Sequence, residues 1–176
     1  MVGILRMRRS RGVASGILLV LLGLWGGLIA FIGPYFHYAY TPDIAWTYTT
    51  ARLWLEILPG AATFLGGLLL IGSNGRHIAG FGALLAAASG AWFALGTVLS
   101  PVWNHNVPLG GSPASATVVM RIAEQLGFFT GLGVVIVCIA SFAFGRIVSL
   151  PPVIDEIAPP LAAPSSTETM PIESVG

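Results

Sequence analysis

The chain has 176 residues and a formal net charge of +1, with 55% hydrophobic residues and only 9% charged. Soluble domains carry about 25% charged residues, so this composition excludes an ordinary water-solvated globule and makes lipid the solvent for much of the surface. The single cysteine, Cys138, excludes an internal disulfide and belongs to no metal or redox motif.

Residues 1–12 carry Arg6, Arg8, Arg9 and Arg11 and read as a basic cytoplasmic arm suited to anionic headgroups. A first span over about residues 13–32 has no charge and is closed by Gly33-Pro34. A basic arm before an apolar run is also the plan of a signal peptide. This run of about 20 residues exceeds the 7–15 of a signal h-region and no convincing cleavage site follows, so an uncleaved helix is expected. The next loop holds all four tyrosines, Tyr35, Tyr38, Tyr40 and Tyr48, together with Phe36, His37, Asp43 and Trp46. Amphipathic rings favour a membrane–water interface, so the first reading is an aromatic belt. The sharper reading is a docking surface for a lipid, a glycan or a protein.

The second span is expected at residues 53–72, with Glu56 near its start and Pro59 where the helix kinks. The turn at Asn74-Gly75 leads to a third span at 78–99, which stops at Ser100-Pro101. The loop 103–117 contains Pro108, Gly110, Gly111 and Pro113 and reads as flexible and irregular. A fourth span over 126–144 ends before Gly145-Arg146. From 147 the chain turns proline-rich and acidic, the composition of a disordered cytoplasmic tail. Each span meets the roughly 20 residues that about 30 Å of hydrocarbon demands. The fold class is therefore an all-α membrane protein, a four-transmembrane-helix bundle. Six arginines fall on one side of it (Arg6, Arg8, Arg9, Arg11, Arg76, Arg146) and two on the other (Arg52, Arg121). The excess of positive charge places both termini in the cytoplasm and the two long loops outside.

Lipid tails are as apolar as leucine, so helices in a bilayer associate by close packing of small residues. Gly23 and Gly27 in the first span, Gly82, Ala86 and Gly90 in the third, and Gly127 with Gly131 in the fourth have that spacing. The plain reading is internal helix packing; the sharper one is a stripe facing a partner.

The two halves resemble each other. Gly33-Pro34-Tyr35-Phe36-His37 corresponds to Ser100-Pro101-Val102-Trp103-Asn104-His105, and Arg52 with Glu56 corresponds to Arg121 with Glu124. The pairs are spaced i,i+4 and i,i+3 and so share helix faces. Charges near membrane depth are costly and often functional, which makes Arg52, Glu56, Arg121 and Glu124 the candidate polar site. Structural pairing is the simpler role. His37, Asp43 and His105 form a weaker candidate for an outer-surface ligand or metal, because their spacing is no motif. No P-loop, G-x-S-x-G, H-E-x-x-H or dinucleotide fingerprint is present.

The stretch Tyr48-Thr49-Thr50-Ala51-Arg52-Leu53-Trp54-Leu55-Glu56-Ile57-Leu58-Pro59-Gly60, with Gly90-Ala91-Trp92-Phe93 and Glu124-Gln125-Leu126, resembles small four-span membrane proteins of actinobacteria. That resemblance implies a bacterial plasma membrane and four spans, and it brings no known activity and no functional residues. Three functions compete. The leading one is a non-enzymatic accessory or scaffold subunit whose partners are the bilayer and another membrane protein or a second copy. The second is a small transporter or lipid-binding protein, which needs the four charged residues around one cavity. The third and weakest is a redox enzyme holding quinone or haem through His37 or His105. No cofactor and no nucleic acid are expected.

Overall fold

The computed structural model describes residues 10–40, 44–73, 75–105 and 109–149. Residues 1–9 of the basic arm, Asp43, and the tail from 150 onward lie outside them. Four helical segments are long and apolar enough to cross a membrane: Gly12–Phe36, Thr50–Gly72, Arg76–Val102 and Val118–Val148. They form an all-helical four-segment bundle, as the composition requires.

The first segment is α1 (Ser10–Ile32), continued by a 3₁₀ turn at Gly33–Phe36. Pro34 sits at the start of that turn, where its missing N–H is harmless. The second segment begins at Thr50, and Thr49 caps it by accepting from the Arg52 amide at 3.2 Å. After one turn it passes through a π-helical stretch, Leu53–Ile57, before continuing as α2 (Leu58–Gly72). The third is α3 (Arg76–Leu99) with a 3₁₀ extension at Ser100–Val102. The fourth is two helices, α4 (Val118–Phe128) and α5 (Thr130–Val148), broken at Phe129. It starts at Val118 rather than near 126, because Arg121 and Glu124 lower the local hydropathy without ending the helix. Ile147 is buried in its last turn, so the helix continues two residues past the expected end of the apolar domain at 146.

The segments pack in ring order: first against second, second against third, third against fourth, and fourth back against first. Glycine sets the closeness. A Cβ at Gly23 would sit 2.5 Å from the Phe64 amide nitrogen, and one at Gly133 would sit 2.5 Å from the Gly90 carbonyl oxygen. Thus α1 crosses α2, and α3 crosses α5, with main chain against main chain. Gly82 and Ala86 face Gly66 across the α2–α3 contact, and Gly27 offers its main chain to Gly60. Gly127 and Gly131, expected at helix crossings too, do other work. Gly127 makes room for the Tyr38 phenol, and Gly131 clears the Leu126 carbonyl across the helix break. A buried polar link joins α2 to α3, where the Thr63 and Ser89 hydroxyls lie 2.5 Å apart.

One end of the bundle carries the short turn around 73–75; the other carries the two long loops. These are the turn end and the loop end below.

Candidate functional site

The loop end is a crown of two interlocked loops. His37 has left-handed backbone, φ 55°, which lets the chain reverse after the 3₁₀ turn while Tyr38 N donates to Gly33 O at 3.1 Å. Tyr38 then crosses the bundle mouth: its hydroxyl donates to the Ala123 carbonyl at 2.6 Å and its ring stacks on Phe128. Tyr40 is buried with its ring against both Phe128 and Phe129, each at 5.1 Å. Burial pushes the Tyr40 phenol up to about 12, with a further rise from the Glu124 charge, and raises Tyr38 for the same two reasons.

The second loop is ordered where it meets the first. Ala114 N donates to Ala39 O at 2.9 Å, beside an isolated antiparallel bridge between Tyr40 and Pro113. Leu109 N donates to the Ser100 hydroxyl at 2.8 Å, and Gly110 (φ 106°) brings the loop over Leu55 and Thr97. The second loop is irregular, as expected, and these hydrogen bonds tie it to the first loop and to the bundle.

Glu124 joins the loops. It is fully buried, and its carboxylate accepts from the Ala39 amide (3.3 Å), the Ser115 amide (3.3 Å) and the Ser115 hydroxyl (2.6 Å). Three donors satisfy a charge that burial would otherwise penalise. Arg121, one turn earlier and exposed, holds the same loop: Nε donates to Ser115 O at 2.8 Å and Nη2 to Ala116 O at 3.3 Å. This pair is a clamp on the second loop.

Arg52 and Glu56 differ. Arg52 is buried, and Nη1 donates to the Thr47 carbonyl at 2.8 Å, steadying the first loop. Glu56 is 2% exposed, and its Oε2 finds no hydrogen-bond partner among the described residues. The π turn that carries it has a sequence cause. Leu58 N bonds Leu53 O, so the Trp54 carbonyl would look to residue 59, a proline without an N–H. The Trp92 indole fills that position, donating to Trp54 O at 2.9 Å. Sequence reasoning missed Trp92; the signal was a proline five residues after Trp54 and a donor ring on the next segment.

Trp92 also stacks on Trp103 at 5.5 Å, and with Trp54 they line a cleft of about 400 Å³ that Thr50 and Asn104 border. The four candidate charges do not share this cleft. They divide into a loop clamp (Arg121, Glu124), a loop anchor (Arg52) and one carboxylate whose Oε2 lacks a hydrogen-bond partner among the described residues (Glu56). His37 and His105 both have left-handed backbone, φ 55° and 48°. No group of three His, Cys, Asp or Glu that could hold a metal forms among the described residues, and Asp43 lies outside them.

No protein-family model matches the chain, and no curated protein or solved structure matches it either.

Proposed function

We propose that this chain is an integral protein of a bacterial plasma membrane, with both termini cytoplasmic, that works as a non-enzymatic accessory or scaffold subunit. The observation that carries this reading is the use of charge at the loop end. Glu124, Arg121 and Arg52 all hold loop backbone in place, while Tyr35, Phe36, Trp46 and Tyr48 stand outward, between 63% and 71% exposed. A fixed crown that presents aromatic rings suits docking: rings supply large contact area at small entropic cost. Three non-glycine residues with left-handed backbone, His37, Trp46 and His105, also lie in this crown. Strained backbone of this kind clusters at functional sites.

A photo-crosslinker placed at Trp46 in native membranes tests the proposal. One stoichiometric protein partner, lost when Phe36 is changed to Ser in a chain that still folds, is the expected result. A chain that stays solitary and uncrosslinked sinks it.

A second reading, binding of an amphiphile at the loop end, is favoured by the cleft between Trp54, Trp92 and Trp103. The transport reading loses its support, because Arg121 is exposed and bound to its own loop rather than turned toward Glu56.

A further inference from the structure

The turn end holds a second built feature, remote from the crown. A groove of about 300 Å³ lies between the start of α3 and the end of α5. Phe81, Leu84, Phe144 and Ile147 supply apolar walls, and Arg76 and His77 line it at the terminus of the bundle. Arg76 is positioned from both sides of the groove: it belongs to the first turn of α3, and Nη2 donates to the Val148 carbonyl in the last turn of α5. Arg146 adds a third basic side chain in that same last turn, lying over the Phe142 ring at 5.5 Å. The carboxylates among the described residues, Glu56 and Glu124, are both at the loop end.

Basic side chains at a helix-bundle terminus beside a narrow apolar groove match one ligand chemistry, a phosphodiester joined to hydrocarbon. We infer that this groove binds an anionic phospholipid. One acyl chain lies against Phe81, Leu84, Phe144 and Ile147, and the headgroup phosphate meets Arg76 and His77. A guanidinium has five N–H donors in a fixed fork, so it can hold the Val148 carbonyl and a phosphate oxygen together. The hydrocarbon contributes by area removed from water, and the basic groups select anionic over zwitterionic lipid. Free phosphate would make no use of the apolar walls. The inference shares with the preceding reading only the location in a membrane; it needs no protein partner, and its readout is separate.

The test titrates the full chain in mild detergent with dioleoyl phosphatidylglycerol and, separately, with dioleoyl phosphatidylcholine, reading bound lipid by native mass spectrometry. The expected result is tighter binding of phosphatidylglycerol. Arg76→Gln should weaken that binding about fivefold, the contribution of one basic side chain near an anionic group, and weaken phosphatidylcholine less, because its ammonium already offsets the charge of the phosphate that both lipids carry. Leu84→Trp, which fills the groove and keeps every charge, should also weaken phosphatidylglycerol. If Arg76→Gln does not fold, Arg146→Gln, which removes a permanent positive charge from the same end of the bundle, supplies the charge test. Equal affinity for the two lipids overturns the inference, as does a preference that survives both variants. Displacement of phosphatidylglycerol by inorganic phosphate alone overturns it as well, by showing a bare anion site.

Discussion

The two hairpins of the bundle, Gly12–Phe36 with Thr50–Gly72 and Arg76–Val102 with Val118–Val148, share a plan and differ in one duty. Each closes on a crossing where glycine brings main chain against main chain. Each first segment ends in a 3₁₀ turn with a proline, followed by a histidine in left-handed backbone. Each second segment departs from α geometry in its first half, by a π turn in one and a break at Phe129 in the other. Each carries a buried glutamate in that half. Yet Glu124 accepts three hydrogen bonds and joins two loops, while Glu56 Oε2 accepts none among the described residues. Matched positions in the sequence thus carry opposite energetics: one carboxylate organises its surroundings, and the other is tolerated by them.

The sharpest test of that contrast removes Glu124. Glu124→Ala deletes a charged acceptor and leaves the buried Ala39 amide and the half-buried Ser115 amide without it, at a cost of about 3 kcal/mol. An unfolding equilibrium in mixed detergent micelles measures the loss, and the Tyr38–Phe128 packing should loosen with it. A cost under about 1 kcal/mol would mean that water replaces the carboxylate.

The likeness of the hairpins is tested at their crossings. Gly60→Ala would put a Cβ 2.7 Å from the Gly27 amide nitrogen, and Gly133→Ala would put one 2.5 Å from Gly90 O. Both should cost about 2 kcal/mol by overpacking. A large difference between them would show that only one crossing is rigid.

Glu56 gives the smaller effect. Glu56→Gln relieves a buried oxygen that lacks a partner but also removes the negative charge near the buried Arg52, so the two effects oppose and stability should change by less than about 1 kcal/mol. Loss of stability comparable to that of Glu124→Ala would end the contrast.

A further test is a titration. The Tyr40 phenol is pushed from 10.0 up to about 12. Below pH 10 both folded and unfolded forms keep the proton, and the contribution to stability is complete. Between 10 and 12 the unfolded form gives up its proton first, so stability falls as pH rises and the loss is complete above 12. Tyrosinate absorbance should therefore show a late-titrating group. In Glu124→Gln it should titrate earlier, since one of the charges holding it protonated is gone.

The four long helical segments were legible because an apolar run of that length has one efficient solution, a helix that satisfies its own backbone. The crown was not. Glu124 meets Ala39 across 85 residues of sequence, and no periodicity encodes such a contact. The same limit hid the order of residues 109–117, whose glycines and prolines look loose until the first loop is laid beside them. The glycine stripes were half legible. Spacing identifies the face of a helix, but whether that face meets a helix, as at Gly90, or a tyrosine, as at Gly127, depends on what the loops bring down.

The π turn at Leu53–Ile57 makes a choice between two ways of winding the same chain. Pro59 guarantees that one carbonyl upstream goes without a main-chain donor. In ordinary α winding that carbonyl would be Leu55's, which sits in the sealed interior; in the wider winding it is Trp54's, within reach of the Trp92 indole. A single N–H on the neighbouring segment therefore sets the rotational phase of everything before the proline, Arg52 and Glu56 included. Were that donor lost, as in Trp92→Phe, a return to α winding would turn those two side chains by about 100° around the helix axis, carrying a buried carboxylate from one neighbour to the next.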